Sequence, residues 1–297
     1  MSDPTSSTLQ KYISPNDVVS FSSSIPECVI PNPSSYLLAN SYYFGHPEWA
    51  KTYFETCHRS DAFKGRWIAA TEGGLDDKIV VDIGCGPGNL YSILGGHPKV
   101  LIGIDVSQGA LEMAQKIGYT PLLADAQNLP LVSGFADIVA VNATLHHCDD
   151  MSKALEEAAR IVRPGGLLII DHDPQFTAWN YRGVTKLFYK VRLFIYQLFL
   201  TKLHVPREER LSALATETHH KPGDGVTPEL FRKTLESMDF KVELYPHNHT
   251  VGAEVLSGKI GKPPHWRYRL GQLLSGINPY SPEAALSLMC IAQRNSQ

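Results

Sequence analysis

The sequence predicts an α/β fold in which a doubly wound, mostly parallel sheet of seven strands carries helical lid insertions. Two observations predict it. Between Lys78 and His172, short β-branched runs alternate with stretches of helical periodicity. Those runs are apolar along their whole length, which indicates strands buried on both faces, as in a parallel sheet covered by helices.

The predicted elements follow in order along the chain. The strands of the alternating region are Ile79–Ile83, Val100–Ile104, Tyr119–Ala124, Asp137–Val141 and Leu167–Ile170, and two more are Phe240–Tyr245 and Ala285–Ala292. The helices are predicted within 46–70, 108–117 (capped by Ser107), 152–162 (ended by Pro164-Gly165-Gly166), 179–204 and 227–238 (capped by Thr227).

The same pattern divides the chain into a flexible N-terminal arm or lid, 1–45, and a single domain, 46–297. The arm begins with residues rich in Ser, Pro and Thr, which favours a loose segment that can order over a ligand. Within the domain, 78–173 forms the binding core. Because ligands of open α/β sheets bind beyond the carboxyl ends of the strands, the insertions 173–226 and 247–284 are predicted to form lids.

Composition excludes several classes of protein. Of 297 residues, 43% are apolar and 19% charged, so the chain can bury a core, and its net charge of −3 argues against binding a polyphosphate backbone. The five cysteines are scattered without a C-x-x-C pair, which argues against disulfides and structural zinc. The polar start lacks the features of a secretory signal, and no apolar run is long enough to span a bilayer. We therefore expect a cytoplasmic protein.

The segment from Asp82 to Gly88 is the most informative part of the sequence. Glycines at 84, 86 and 88 directly follow a buried strand. Without a Cβ, such residues let the backbone turn tightly and approach a ligand closely. A G-x-G turn alone is weak evidence, because ordinary βα turns share it.

Two carboxylates strengthen this interpretation. Asp105 ends the second strand, where a carboxylate can accept hydrogen bonds from ribose hydroxyls, and Asp125 ends the third, where it can accept from an adenine amino group. A dinucleotide fold shares the first features but has its third glycine at the position of Asn89. The spacing therefore suits a nucleoside without a phosphate.

These motifs resemble class I S-adenosylmethionine-dependent methyltransferases, in particular the small-molecule branch that includes quinone-biosynthesis enzymes. The resemblance covers Lys78 to Asp173. It depends on motifs that occur in order: VDIGCGPG from Val81, GIDVS from Gly103, ADA from Ala124, NATLHH from Asn142 and RPGG from Arg163. It implies a Rossmann-like fold and S-adenosylmethionine as the cofactor, with S-adenosylhomocysteine as its product.

The resemblance also implies which residues bind the cofactor. The methionine part would lie against the turn, the ribose on a strand-end carboxylate, and the adenine between a side chain and a second carboxylate. The residues are Asp82, Gly84, Cys85, Gly86 and Gly88 at the turn, Asp105 and Val106 after the second strand, Asp125 and Ala126 after the third, and Asn142 and Ala143 after the fourth.

The acceptor side is less defined. A hydroxyl acceptor needs a base, and His147 and His172, which follow strands at the ligand edge, are the candidates. Both also fit a structural role, His147 in a pocket-shaping loop and His172 in a capped turn. In the first insertion, His219, His220 and Asp224 are predicted to contact the substrate, and a surface loop is the alternative. These residues lack a recognised ligand spacing, so no metal is predicted.

The helix predicted over 184–203 is apolar nearly all round, with basic residues at intervals of four. A lid packed on the sheet is the favoured interpretation, and an interfacial helix with weak membrane-surface contact is the second. In both cases the aromatic residues indicate an apolar acceptor.

Together these features predict methyl transfer to oxygen or nitrogen of a small, apolar or aromatic metabolite, without a nucleic-acid partner. C-methylation of a quinone precursor is an alternative within the same class. An NAD-dependent oxidoreductase and a catalytically inactive cofactor-binding partner subunit are alternatives from other classes. Nucleic-acid methylation is disfavoured because Asn142-Ala143-Thr144-Leu145 lacks a Pro-Pro-aromatic motif.

Overall fold

The computed structural model of the chain describes residues 4–188, 191 and 225–296. In this part of the chain, nine strands form one sheet. The strands are β1 (Val19–Ser20), β2 (Glu27–Cys28), β3 (Ile79–Ile83), β4 (Val100–Asp105), β5 (Thr120–Leu123), β6 (Ala136–Asn142), β7 (Val162–Asp171), β8 (Phe240–His247) and β9 (Ser287–Arg294).

The order across the sheet is β1-β2-β5-β4-β3-β6-β7-β9-β8. Pairing is parallel from β2 to β7 and antiparallel at both edges. The predicted mostly parallel α/β fold is therefore confirmed, and its seven strands correspond to β3 through β9. The predicted number of seven is wrong by two, because β1 and β2 are two-residue strands, too short to show a hydrophobic pattern.

The helices lie between the strands. They are α1 (Pro4–Gln10), α2 (Ser35–Gly45), α3 (Pro47–Tyr53), α4 (Asp61–Ala70), α5 (Asn89–Leu94), α6 (Gln108–Lys116), α7 (Met151–Ile161), α8 (Phe176–Trp179), α9 (Pro228–Glu236) and α10 (Trp266–Leu274). A π-helical turn, Phe54–His58, follows α3. Side-chain caps confirm the predicted helix starts: the hydroxyls of Ser107 and Thr227 accept from Ala110 N and Leu230 N.

The central strands are buried on both faces, which explains their continuous apolar sequence. In β3, Val81 packs into the cluster on one side of the sheet and Val80 into the cluster on the other. Successive side chains of a strand point to opposite faces, so each strand supplies both layers. This arrangement confirms the doubly wound prediction.

The range of β7 includes the predicted turn. The sequence places Pro164-Gly165-Gly166 in a turn between helix and strand, and β7 begins at Val162. Its pairing with β6 goes from Val162 directly to Leu167, so these three residues are unpaired with β6. The pairing of β6 with β7 shifts register between Ala136 and Ile138. This irregularity accommodates the proline and the positive φ of Gly165.

The N-terminal residues pack on the sheet. Leu9 in α1 is fully buried in one core cluster, and the Tyr12 ring stacks on Phe135 with 4.6 Å between centroids. The division at residue 45 between an arm and a domain stays a prediction.

The first insertion is described only at its two ends. The helix predicted within 179–204 is interrupted at 180–182, and residues 183–188 are helical. Apart from Val191, the rest of that predicted helix lies outside the described residues. Among the helices of residues 4–188 and 225–296, not one has the length and apolar character needed to cross a membrane.

A buried charge cluster joins α4, β7 and β8. Arg66 Nε donates to Asp171 Oδ2 at 2.8 Å, and both side chains are fully buried. Arg66 Nη1 also donates to the carbonyl of Val251 at 2.7 Å, and His247 Nε2 lies 2.7 Å from Asp171 Oδ1. Burial alone would raise the pKa of Asp171, but Arg66 and His247 hold it well below its usual value.

Replacing Arg66 therefore leaves a buried charge without its partner. We expect Arg66→Met to lower the free energy of unfolding by about 3–5 kcal/mol, measured by urea denaturation. Arg59→Met is the matched control, because Arg59 pairs with Glu55 but is 65% exposed, and it should cost less than about 1 kcal/mol. Equal small losses in both variants would contradict a central role for the Arg66–Asp171 pair.

Candidate active site

A cleft opens beyond the carboxyl ends of β3, β4, β5 and β6. The space between its walls is about 930 Å³, with the open mouth included. Ten of the eleven predicted cofactor residues line it: Asp82, Gly84, Cys85, Gly86, Asp105, Val106, Asp125, Ala126, Asn142 and Ala143. The structure therefore brings together residues from four separate strand ends.

The turn after β3 lets the backbone form the floor of the cleft. Gly84 and Gly86 both have positive φ (68° and 53°), a conformation that glycine adopts at little cost. A Cβ on Gly84 would collide with the side chain of Thr144, whereas one on Gly86 would meet nothing within 4 Å. Gly86 thus faces open space that a ligand can fill.

Gly88, the eleventh predicted residue, does not line the cleft. It is the N-cap of α5 with φ of 88°, and a Cβ there would clash with Ile117 and Tyr119. Its conformation and this close packing explain the glycine without a ligand.

Asp105 joins the turn to β4. Its Oδ2 accepts from the backbone N–H of Gly86 and its Oδ1 from that of Ser107, both at 2.8 Å. Burial raises the pKa of Asp105, while these backbone donors oppose the shift. Each oxygen keeps a lone pair, so the carboxylate can still accept from a ligand in the cleft.

Asp82 is a buried acid at the bottom of the cleft. Tyr119 donates its hydroxyl to Asp82 Oδ2 at 2.6 Å. Burial nevertheless raises the pKa of Asp82 to about 7, because the Tyr119 hydrogen bond only partly offsets desolvation. A cationic ligand nearby would favour the ionised form.

Asp125 stands at the end of β5 on the opposite side of the cleft. Its Oδ1 accepts from the backbone N–H of Gln127 at 2.9 Å, and the Gln127 side-chain amide reaches both of its oxygens at 3.1 and 3.2 Å. These contacts fix the orientation of the carboxylate next to Ala126.

His58, which the sequence analysis did not identify, lies between two amides of the cleft. Asn142 Nδ2 is 2.9 Å from its Nε2 and Asn89 Nδ2 is 3.2 Å from its Nδ1. Burial lowers the pKa of His58 to about 3, so the ring is neutral. A neutral ring can accept from only one amide, so the other must present its oxygen.

The side-chain oxygen of Asn142 is buried and has no hydrogen-bond partner among the described residues. If the Asn142 amide is flipped, its oxygen accepts from His58. Its NH2 group then takes the position of the oxygen and has no partner there. In either orientation Asn142 holds one hydrogen-bonding atom to spare, as expected where a ligand binds.

Helix α2 forms the roof of the cleft. Ser107 donates its hydroxyl to the carbonyl of Ser41 at 2.6 Å, and Ser41 donates to the carbonyl of Val106 at 3.0 Å. A Cβ on Gly109 would lie 2.7 Å from the carbonyl oxygen of Gly45, so only glycine permits this approach. The roof places Leu37, Asn40 and Phe44 over the cleft.

Of the two predicted bases, His147 lines the cleft. Its ring stands edge-on to Phe44 at 5.6 Å and 4.0 Å from the ring of His146. The fully buried Asp173 accepts from the backbone N–H of His146 at 3.0 Å and contacts its ring Nδ1 at 2.7 Å. This pair fixes the short turn Leu145–His147 and therefore the position of His147.

His172, the other predicted base, is not among the cleft-lining residues. It has a positive φ of 64°, and its ring stacks on His249 at 4.3 Å next to Arg66 and Asp171. The predicted substrate residues His219, His220 and Asp224 lie outside the described residues. In the described part of the chain, no group of three or more His, Cys, Asp or Glu side chains is arranged to hold a metal.

The cleft carries negative charge. Its described lining contains Asp82, Asp105, Asp125 and Asp149 but neither lysine nor arginine. It therefore suits a ligand that combines hydroxyl and amino donors with positive charge, such as the adenosine, ammonium and sulfonium groups of S-adenosylmethionine. The space at Gly86 and the spare atom of Asn142 fit the same ligand.

Sequence reasoning missed the residues that approach from the N-terminal side, namely Leu37, Asn40, Phe44, Tyr53 and His58. The aromatic run Tyr42-Tyr43-Phe44 was a usable signal. His58 gave none, because its position depends on a π-helical turn that no periodicity indicates.

Comparison with known proteins agrees with this geometry. Residues 81–170 match a family described as "Methyltransferase domain". The chain is 38% identical over 120 residues to a tRNA (carboxymethyluridine(34)-5-O)-methyltransferase of Arabidopsis thaliana, covering 38% of this chain and 29% of that protein. It is 34% identical over 96 residues to a malonyl-[acyl-carrier protein] O-methyltransferase of Yersinia pestis, covering 31% and 35%.

A further relative is a ubiquinone biosynthesis O-methyltransferase of Leptothrix cholodnii, 25% identical over 143 residues, with 45% of this chain and 60% of that protein covered. The chain thus spans between 29% and 60% of the length of these three relatives. A crystal structure of a SAM-dependent methyltransferase from Thermotoga maritima shares the fold, with a TM-score of 0.51, 17% identity and coverage of 86% of this chain and all of that one.

The resemblance predicted from the motifs is therefore confirmed for residues 81–170. They form a class I methyltransferase domain, for which S-adenosylmethionine is the cofactor.

The raised pKa of Asp82 makes the free energy of unfolding depend on pH. Because the folded-state pKa of about 7 exceeds the ordinary value of 3.8, the folded protein binds more protons than the unfolded one between these values. The contribution of Asp82 to stability therefore falls as pH rises from about 4 to 7.

Asp82→Asn removes this titration and keeps an acceptor for Tyr119. We expect the free energy of unfolding of the variant to exceed that of the wild type increasingly as pH rises through this window, measured by urea denaturation at several pH values. Asn16→Ala, at an exposed position without a titratable group, serves as the control and should give a pH-independent difference. Parallel curves for Asp82→Asn and the wild type would contradict the assigned environment.

Proposed function

We propose that this chain transfers the methyl group of S-adenosylmethionine to an oxygen or nitrogen atom of a small, apolar or aromatic acceptor. One observation carries the proposal. The cleft at the glycine turn is lined by carboxylates without a described lysine or arginine, and it opens towards Phe44, Tyr53 and His147.

The cofactor residues have complementary roles in this proposal. The lone pairs left on Asp105 would accept from the ribose hydroxyls, and Asp125 with the backbone of Ala126 would contact the adenine edge. The methionine part would lie along Gly84 and Gly86. There, Asp82 and Asn142 would face its ammonium and carboxylate groups.

Charge favours this function over the oxidoreductase alternative. A dinucleotide brings a pyrophosphate, which needs backbone donors and positive charge at a helix N-terminus. Here four carboxylates line the cleft without a described basic residue, so a diphosphate would be repelled. The same carboxylates disfavour a nucleic-acid acceptor inside the cleft, because its phosphates would approach Asp125 and Asp149.

The roof supports an apolar acceptor. Leu37, Phe44 and Tyr53 line the cleft together with His147, and the Phe44 ring packs edge-on against Tyr53 at 5.4 Å between centroids. Aromatic walls with one polar group suit a planar ring that bears a hydroxyl or amine. All three relatives named above are O-methyltransferases, which supports oxygen as the acceptor atom.

The chain's own residues have two tasks in the reaction. When bound, S-adenosylmethionine supplies a methyl group made electrophilic by its sulfonium. The aromatic roof would orient the acceptor so that its hydroxyl points at that methyl. The His147 ring would take the hydroxyl proton. Asp173 and His146 would act as positioning residues, because they fix the turn that carries His147.

Transfer of radiolabel from methyl-labelled S-adenosylmethionine tests the proposal. We expect label to enter small aromatic hydroxyl or amine compounds from a metabolite extract, with S-adenosylhomocysteine formed in equal amount. Total transfer RNA is the second acceptor arm, because one relative is a tRNA methyltransferase. Label in RNA alone would contradict the proposal.

The role of His147 can be tested separately. If it is the base, we expect His147→Ala to lower kcat about 100-fold to 10,000-fold, with little change in the Kd for S-adenosylhomocysteine. The exposed His97→Ala is the matched control and should leave both constants unchanged. Equal losses of turnover and cofactor affinity in His147→Ala would contradict the assignment.

A further inference from the structure

Helix α10 has the reverse of the usual distribution of polar and apolar residues. Its inward side consists of Gly271, Gln272 and the following Ser275, all buried, and Gln272 is held there by hydrogen bonds to the carbonyls of Ala178 and Ala284 at 3.3 and 2.9 Å. Its outward stripe is apolar: Trp266, Leu270, Leu273 and Leu274 are 47–59% exposed. A water-exposed helix normally presents polar residues outwards.

The helical segment 183–188 in the first insertion shows the same reversal. Val184, Leu187 and Phe188 are 58%, 62% and 69% exposed, and their spacing puts them on one side of the helix. These are among the most exposed large apolar side chains in the described part of the chain.

The two helices pack against each other. The backbone N–H of Arg182 donates to the hydroxyl of Ser275 at 3.1 Å, and the Thr185 hydroxyl lies 3.4 Å from the carbonyl oxygen of Gly271. A Cβ on Gly271 would lie 3.1 Å from the Tyr181 ring. We call the outward apolar residues of both helices the insertion face: Val184, Leu187, Phe188, Trp266, Leu270, Leu273 and Leu274.

Charge distinguishes this region from the rest of the protein. Within the part that the structure describes, 174–188 and 255–282 together contain six basic residues and no acidic one, in a chain whose net charge is −3. Arg182 and Lys186 are exposed next to the first helix and Arg267 on the second. An apolar stripe flanked by arginine and lysine, with a tryptophan, is typical of a helix that lies in a membrane interface.

We propose that the insertion face binds the surface of an anionic lipid bilayer, with the apolar side chains in the headgroup region and the basic residues on acidic headgroups. Both insertions leave the sheet after β7 and β8, at the carboxyl edge of β7, which is also the edge where the cleft opens. Bilayer binding there would bring a lipophilic acceptor near the cleft. The binding itself does not depend on methyl transfer.

RNA is the rival partner of a basic surface. Protein surfaces that bind nucleic acids are more polar than this one, whereas leucine, valine and phenylalanine dominate the insertion face. A second copy of the chain is the other rival, since exposed apolar patches also mark protein interfaces.

Vesicle co-sedimentation of the full chain tests the proposal. We expect the wild type to pellet with vesicles of phosphatidylcholine and phosphatidylglycerol, and much less with phosphatidylcholine alone. The pairs Leu273→Glu, Leu274→Glu and Leu187→Glu, Phe188→Glu should each weaken the partition by about tenfold or more. Arg267→Ala should weaken it about fivefold, on anionic vesicles only.

The matched control is the pair Val18→Glu, Val29→Glu, which changes residues 84% and 73% exposed near the opposite edge of the sheet, and it should bind like the wild type. Thermal unfolding and S-adenosylhomocysteine binding verify that every variant is folded. No wild-type pelleting, or equal pelleting of the Glu pairs and the wild type, would overturn the proposal. The proposal would also be overturned if the Glu pairs bound vesicles like the wild type but lost binding to transfer RNA. The same holds if they lost only self-association, measured by size-exclusion chromatography.

Discussion

The hydrogen bonds that Asp105 accepts from Gly86 and Ser107 are the constraint on which the cleft depends. They hold the end of β4 against the turn after β3, at Gly86, which has no side chain. Ser107 also donates its hydroxyl to the carbonyl of Ser41 in α2. The turn after β3, the end of β4 and the roof helix α2 are therefore joined by one set of hydrogen bonds. A carboxylate that already accepts two backbone donors is fixed in place before a ligand arrives, which lowers the cost of binding.

The distribution of charge in the molecule follows its proposed chemistry. Arg66 neutralises the buried Asp171 outside the cleft lining, whereas Asp82 and Asp105 face the cleft without a described basic partner there. Burying carboxylates in this way costs stability. The cost is offset when a cation binds, and the sulfonium and ammonium of S-adenosylmethionine are such cations. A phosphate-bearing cofactor would add to the cost instead.

Sequence alone predicted the parts of the fold that repeat a pattern. The buried strands β3 to β7 and the residues at their carboxyl ends followed from continuous apolar runs and from fixed spacings, and ten of the eleven cofactor residues line one cleft. Contacts between distant segments could not be predicted from the sequence. The two-residue strands, the roof helix and His58 are positioned by packing with partners far along the chain. Gly88 was predicted from the motif to bind the ligand. Its close packing against Tyr119 explains the glycine without a ligand.

Calorimetric titration at pH 8 tests the central claim, which is that an acidic, phosphate-free cleft binds an adenosine sulfonium. We expect S-adenosylhomocysteine to bind the wild type, Asp105→Ala to weaken this binding by about 1.5–3 kcal/mol, and NAD to give no heat of binding. Binding of NAD, or an unchanged affinity of Asp105→Ala for S-adenosylhomocysteine, would contradict it.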